Sequence, residues 1–274
     1  MSGVLEFTIL GSGSSGGVPR ADGEWGACDP ANPKNHRSRC SMLVRRKGRS
    51  PDRETTVIVD TSPDLRLQTA RAGAKRLDAI LLTHDHADQV HGLDDVRAFY
   101  LRSGERIPCH MDAATRASML RRFDYIFVGE GGYPAICEAE TMPAHDHRWV
   151  VQGPSGHIPV VGFDQDHGHI RSVGFRFGDV AYSSDLVDLP DTSFEALRDL
   201  DVWIVDALRW RPHPTHAHVQ RTLDWIERVK PRRAILTNLH IDLDYDELAA
   251  RLPGGVEPAY DGLRFEHQLD SELS

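Results

Sequence analysis

An α/β domain, with one mixed sheet or two sheets and helices on the outside, is the fold class this sequence predicts. Three observations carry it. Short apolar runs alternate with amphipathic ones along the 274 residues. Asp78 to Thr83 (Asp-Ala-Ile-Leu-Leu-Thr) is almost wholly apolar, as in a strand covered on both faces. Ser41 to Arg46 and Thr55 to Asp60 read as a strand pair across the basic turn Arg45-Arg-Lys-Gly-Arg-Ser50.

The remaining elements follow in order. Leu5 to Leu10 is a strand that runs into the turn Gly11-Ser-Gly-Ser-Ser-Gly-Gly17, and a polar loop extends from Pro19 to Arg39. Asp64 to Ala72 is helical, with Leu65, Leu67 and Ala70 as its buried face. A helix is expected from Val90 to Arg102, a strand from Arg106 to His110 and a helix from Ala113 to Arg122. Gly129 to Pro143 reads as loop. Strands recur at His157 to Phe163, Ser172 to Phe177 and Val180 to Ser183. The last quarter alternates strand Val202 to Asp206, helix Val219 to Val229, strand Arg233 to Thr237 and helix Tyr245 to Leu252.

No repeat or linker divides the chain, so residues 1–274 are expected to form one domain. With 40% hydrophobic and 27% charged residues it has an ordinary globular composition. The formal charge of −9 argues against coating nucleic acid or anionic membrane by bulk charge. No apolar run approaches the ~18 residues of a membrane span, and no basic n-region precedes an apolar stretch at the N-terminus. Cys28, Cys40, Cys109 and Cys137 are irregularly spaced and form no disulfide framework, so a cytoplasmic protein is expected. The 15 histidines are as numerous as Phe (9) and Tyr (6) together, which turns attention to metal and proton chemistry.

Thr83-His84-Asp85-His86-Ala87-Asp88-Gln89-Val90-His91-Gly92 directly follows the buried strand. Histidines at i and i+2 of an extended segment point the same way and can share a metal. Asp88, at the start of the next helix, can reach the same region. An isolated His-x-His is most simply a solvated turn; four ionisable residues at a strand end favour a metal site.

Thr-His-x-His-x-Asp after a buried strand resembles the signature of the metallo-β-lactamase superfamily. Leu10-Gly-Ser-Gly-Ser-Ser-Gly-Gly-Val-Pro19, Ile58-Val-Asp60-Thr-Ser, Asp166-His167-Gly168, Ser183-Ser-Asp185 and Ile235-Leu-Thr237-Asn-Leu-His240 fall in the order that superfamily uses. The chain is most similar to the branch that contains the phosphoribosyl 1,2-cyclic phosphate phosphodiesterase (PhnP). The resemblance implies an αββα sandwich. It also implies a first metal, zinc, held by His84, His86 and His167, and a second served by Asp88 and Asp185, with Asp185 bridging. His216 corresponds to the histidine beside the scissile phosphate, and Asp88 and His216 are the expected catalytic residues.

Two departures stand out. Gln89 and Asn238 occupy positions where the superfamily has histidine ligands of the second metal. Amide oxygens there would suit Mn²⁺ or Mg²⁺ better than Zn²⁺, a permanently mononuclear site is the other outcome, and His91 and His240 are substitute ligands or supporting groups. The branch's structural-zinc cysteines fall near Trp25-Gly-Ala-Cys28, where only Cys28 remains, so that zinc is not expected.

Other candidates have bland alternatives. The Gly/Ser turn has no Gly-Lys-Ser/Thr and reads as a tight turn beneath the site rather than a phosphate loop. Asp60 is expected to support the site by hydrogen bonding. His145, His147, His110, His157 and His267 read as exposed. Arg209, Trp210, Arg211 and His213 are either a phosphate grip or a solvated turn, and Arg209, His213 and His216 are the candidate substrate-binding residues.

The resulting expectation is a phosphodiesterase in which a metal-activated hydroxide attacks a small cyclic phosphate or nucleotide-like phosphoester while His216 protonates the leaving oxygen. The alternatives are a glyoxalase-type thioester or lactone hydrolase and a non-catalytic nucleotide- or metal-binding module. The expected partner is a small phosphorylated molecule. No membrane and no stable nucleic-acid partner are expected, and a homodimer is the assembly to test.

Overall fold

In the computed structural model, which describes residues 3–269, the alternating apolar pattern builds two mixed sheets of seven strands each. The first contains β1 (Val4–Gly11), β2 (Ser41–Arg46), β3 (Thr55–Val59), β4 (Ala79–Leu81), β5 (Ile107–Met111) and β6 (Cys137–Thr141). The second contains β7 (Arg148–Val151), β8 (Ile158–Asp166), β9 (Arg171–Phe177), β10 (Val180–Ser183), β11 (Val202–Asp206), β12 (Arg233–Thr237) and β13 (Val256–Pro258). β14 (Arg264–Gln268) returns to the first sheet and pairs antiparallel with β1. The strand orders are β14-β1-β2-β3-β4-β5-β6 and β13-β12-β11-β10-β9-β8-β7. β3 to β6 are mutually parallel, as are β10 to β13.

Successive side chains on a strand face opposite ways, and that period sorts the core into three layers. Leu5, Phe7 and Ile9 of β1, Val57 and Val59 of β3, and Val202 and Ile204 of β11 meet between the sheets. Ile58 and Ile80 point outward, toward α1 (Leu65–Ala72), α2 (Ala87–Val90), α3 (Arg97–Ser103), α4 (Ala113–Arg122) and α5 (Asp124–Phe127). Trp203 and Val205 pack outward among Phe194, Trp225 and Leu248, which belong to α6 (Asp191–Ala196), α7 (Val219–Val229) and α8 (Tyr245–Arg251). This is the expected αββα sandwich.

Local departures from the sequence reading have identifiable causes. The helix expected over Val90 to Arg102 breaks into α2, a 3₁₀ turn at Leu93–Val96, and α3. Gly92 is the break point: its N–H donates to Thr61 O, and a Cβ there would lie 2.0 Å from Ser62 O. The expected loop Gly129 to Pro143 contains β6, an edge strand whose Cys137-Glu-Ala-Glu-Thr141 buries only Cys137. β13, β14, α5 and α6 were likewise not legible in the sequence. An edge strand buries one face at most, so its pattern carries little apolar signal.

His110 on β5, read from the sequence as exposed, is instead partly buried against Trp149 and gives a pH prediction. Burial holds its ring down to about 4, and it packs against Trp149 with centroids 4.5 Å apart. The unfolded chain takes a proton near 6.5 and the folded chain does not, so stability falls as pH drops from 6.5 toward 4. Unfolding free energies measured from pH 7 to 4.5 should show wild type losing up to ~1.4 kcal/mol per pH unit more than His110→Phe. Parallel pH profiles for the two proteins would refute this role.

Candidate metal centre

The end of β4 and the buried carboxylate of Asp60, just after β3, set the local geometry. Asp60 accepts from Thr83 N at 2.8 Å and from Thr83 Oγ1 at 2.9 and 3.1 Å. With its hydroxyl hydrogen on Asp60, Thr83 Oγ1 accepts from His84 Nδ1 at 3.0 Å. That chain fixes the tautomer and leaves a lone pair on His84 Nε2, which is buried and has no hydrogen-bond partner among the described residues. His167 follows the same logic from the end of β8: its Nδ1 donates to Thr215 O at 2.7 Å, so Nε2 carries the lone pair. His167 Nε2 lies 3.3 Å from His86 Nδ1.

Donor atoms of His84, His86 and His167 all lie within 4.8 Å of one another. Burial, and then the neighbouring imidazoles, hold His84 well below its ordinary value and His86 also below it. These rings are therefore neutral, the form that binds metal. Converging imidazole lone pairs with an orphaned buried nitrogen fit a divalent cation, and three nitrogens are a donor set that zinc accepts.

Asp185, after β10, and His216, after β11, lie on the other side of His167. Donor atoms of His167, Asp185 and His216 form a second group within 4.8 Å. His216 Nδ1 is 2.9 Å from Asp206 Oδ2. Burial disfavours the charged ring, but the charge and hydrogen bond of Asp206, followed by Asp185 and Asp88, outweigh it and raise His216 to about 9. A bound divalent cation would oppose that rise. Asp206 is fully buried at the end of β11, and its Oδ2 also accepts from Leu186 N and Asn238 Nδ2 at 3.2 Å each. Sequence reasoning missed Asp206. Its signal was its place at the end of an apolar strand ten residues before His216.

The amides depart from expectation. Gln89 turns its nitrogen, not its oxygen, toward the carboxylates: Nε2 donates to Asp88 Oδ2 at 3.2 Å and Asp185 Oδ2 at 3.1 Å. Asn238 likewise presents Nδ2 to Asp206. Asp88 falls in neither of the metal-ligand groups among the described residues, and burial, followed by the charge of Asp185, raises its pKa. His91 and His240, the substitute ligands, face arginines instead: His91 Nε2 meets Arg122 Nη2 at 3.0 Å, and His240 Nε2 meets Arg20 Nη2. Asp60, Asp185 and Asn238 all sit at positive φ (61°, 57° and 61°) within two residues of strand ends, where chain reversal turns each side chain toward the site.

In the turn read as either a phosphate grip or a solvated loop, the side chains make contacts of their own. Arg209 donates to Arg211 O at 3.2 Å and Pro212 O at 2.9 Å, so it braces its own turn. Arg251 lies over the Trp210 ring at 4.9 Å, and Trp210 packs against the outer core. Arg211 is exposed. His213 remains beside the site, its ring 5.1 Å from that of His216, and its Nδ1 faces Thr215 N at 3.4 Å. Near Cys28, buried Arg37 takes the central position, with Nη1 3.6 Å from Cys28 Sγ and Nη2 3.1 Å from Asn35 Oδ1.

Residues 55–241 match the family model described as a beta-lactamase superfamily domain. A protein described as a new diphosphatase from the PhnP family is 34% identical, and its crystal structure aligns over 98% of this chain and 99% of its own with a TM-score of 0.86. The Zn²⁺-bound PqqB of Methylobacterium extorquens is 18% identical, covering 95% of this chain and 99% of its own at a TM-score of 0.73, a likeness of fold. A curated relative in Porphyromonas gingivalis, named octanoyltransferase, is 29% identical over 94% of this chain. The chain spans about half (51%) of that relative's length.

Proposed function

The chain belongs to the metallo-β-lactamase superfamily, and from that premise we propose that it is a metal-dependent phosphoric diester hydrolase acting on a small phosphorylated substrate. The observation that carries the reading is the Asp206–His216 pair set against the imidazole cluster. The 34% identity to a PhnP-family diphosphatase supports phosphorus rather than carbonyl chemistry.

His84, His86 and His167 would hold the first metal, which we take to be zinc, and Asp185 belongs to the adjoining donor group that shares His167. When bound, such a metal supplies Lewis-acid polarisation of a phosphoryl oxygen and acidifies a coordinated water. Three further tasks fall to the chain itself. Asp60 and Thr83 hold His84 in the tautomer that offers Nε2. Asp206 anchors His216 through Nδ1, leaving Nε2 without a partner among the described residues and free to hold a proton for a leaving oxygen. Burial of His84, His167 and Asp185 limits competition from water.

The test is a substrate panel run on metal-loaded and metal-stripped protein: bis-p-nitrophenyl phosphate, a ribose cyclic phosphate, S-lactoylglutathione and an octanoyl thioester. Turnover of the phosphodiesters alone, lost on stripping, is expected. Turnover confined to the thioesters would replace this reading with acyl hydrolysis. Failure to turn over any substrate would favour a binding module.

The amide orientations bear on the second metal. The Gln89 and Asn238 nitrogens add donors beside carboxylates but bring no cation-binding lone pair. Dialysed protein should therefore retain about one tightly held zinc per chain, with any second cation weak or Mn²⁺. Combining Gln89→His with Asn238→His should raise tight zinc toward two, and each single change should do less. Metal analysis of the four proteins decides it, and two tight zincs in wild type would overturn the expectation.

A further inference from the structure

Two of the three converging imidazoles are anchored through the ring nitrogen that faces away from the cluster: His84 Nδ1 donates to Thr83 Oγ1, and His167 Nδ1 to Thr215 O. His86 has no such anchor. Its Nδ1 faces His167 Nε2 at 3.3 Å, its Nε2 has no hydrogen-bond partner among the described residues, and it is only half-buried. A ring without a fixed nitrogen has to be aimed by its backbone. The peptide on its C-terminal side is fixed by the first turn of α2, where Gln89 N donates to His86 O at 3.0 Å. The peptide on its N-terminal side carries the Asp85 carbonyl, and a distant element holds it.

That element is the last turn of α4. Arg122 Nη1 donates to Asp85 O and lies 3.4 Å from Asp85 Oδ2. Arg122 Nη2 lies 3.0 Å from His91 Nε2, and Ser118 Oγ, one turn earlier on the same helix, donates to Asp85 Oδ2. One guanidinium therefore joins the Asp85 carbonyl and carboxylate, ahead of His86, to the His91 ring at the far end of α2. A planar fork of donors spans such a set, where a compact ammonium does not. Because arginine only donates, His91 Nε2 accepts in this contact and its lone pair is withdrawn from metal binding. Both Nη atoms are spent within the protein, so Arg122 braces the loop.

We propose that Arg122 is a positioning residue of the metal centre: by fixing the Asp85 peptide it aims His86 at the point where His84 and His167 converge. This rests on the metal-centre reading and deepens it, because it assigns the third imidazole the support that its own ring lacks. The Asp85 carboxylate offsets the guanidinium charge, so the brace adds little repulsion toward a bound cation.

The experiment is competitive zinc titration against a chromophoric chelator, run on metal-stripped wild type, Arg122→Ala, Arg122→Lys, Ser118→Ala and His84→Ala. Arg122→Ala should weaken zinc binding by about 10–100-fold, the usual cost of removing a group behind a metal ligand. Arg122→Lys should recover part of that loss, since an ammonium can still reach one of the acceptors, and Ser118→Ala should lose less than Arg122→Ala. The unfolding midpoint of metal-stripped Arg122→Ala should move by about 4 °C or less, the scale of one partly exposed ion pair. Loaded with Co²⁺ in place of zinc, Arg122→Ala should show shifted visible ligand-field bands, because the His86 nitrogen is displaced. If Arg122→Ala folds poorly, Arg122→Lys is read in its place. Zinc affinity within about twofold of wild type overturns the positioning role, as does a loss of affinity with unchanged cobalt bands. Zinc bound no more tightly by wild type than by His84→Ala would instead overturn the metal centre itself.

Discussion

His84→Ala is expected to yield a protein that loses its metal on dialysis and hydrolyses phosphodiesters at a small fraction of the wild-type rate. His84 is almost fully buried, its Nε2 has no partner among the described residues, and its tautomer is set by the relay through Thr83 to Asp60. Removing a hydrogen-bonding partner behind a metal ligand typically costs about 10–100-fold in metal affinity or activity. Removing the imidazole itself should cost more, because two nitrogens cannot replace three. Thr83→Val, which breaks the relay but keeps the ligand, should fall between wild type and His84→Ala. Metal content and turnover measured on the same dialysed samples check both. Full zinc and full rate in His84→Ala would mean that the cluster is not the metal site.

The second large effect concerns proton delivery. His216→Ala should lower kcat by about 10²–10⁴-fold on a substrate with an alkoxide leaving group, with little change in KM. The loss should shrink for p-nitrophenol, which leaves readily without protonation. Asp206→Asn should reproduce much of it, because the ring loses the acceptor 2.9 Å from Nδ1 that orients it. Metal analysis is decisive here, since His216 also falls in the group with His167 and Asp185. Retained zinc with a leaving-group-dependent loss supports an acid, and lost zinc would make His216 a ligand instead.

What the sequence determined by itself is local. Thr83 to Asp88 is a continuous segment after a buried strand, so its direction and donor types are written in neighbouring residues. The inner strands β3, β4 and β11 are covered on both faces, so their short runs are apolar without alternation and stand out. β6 and β14 lie at or near sheet edges, where exposed faces dilute the apolar signal, and they escaped notice. Only the tertiary structure decided contacts between chain-distant groups. Asp206 became the partner of His216 because β11 ends opposite the loop that carries the histidine. Gln89 reaches Asp185 across 96 positions, and the geometry of that approach set which end of its amide faces the carboxylates. Arg209 looked available but bonds its own turn, whereas Arg122 looked like ordinary surface charge and bonds Asp85, between two of the imidazoles. Residue type constrains what a side chain can donate or accept. Which partner it meets depends on where distant strand ends converge, and composition and periodicity do not encode that.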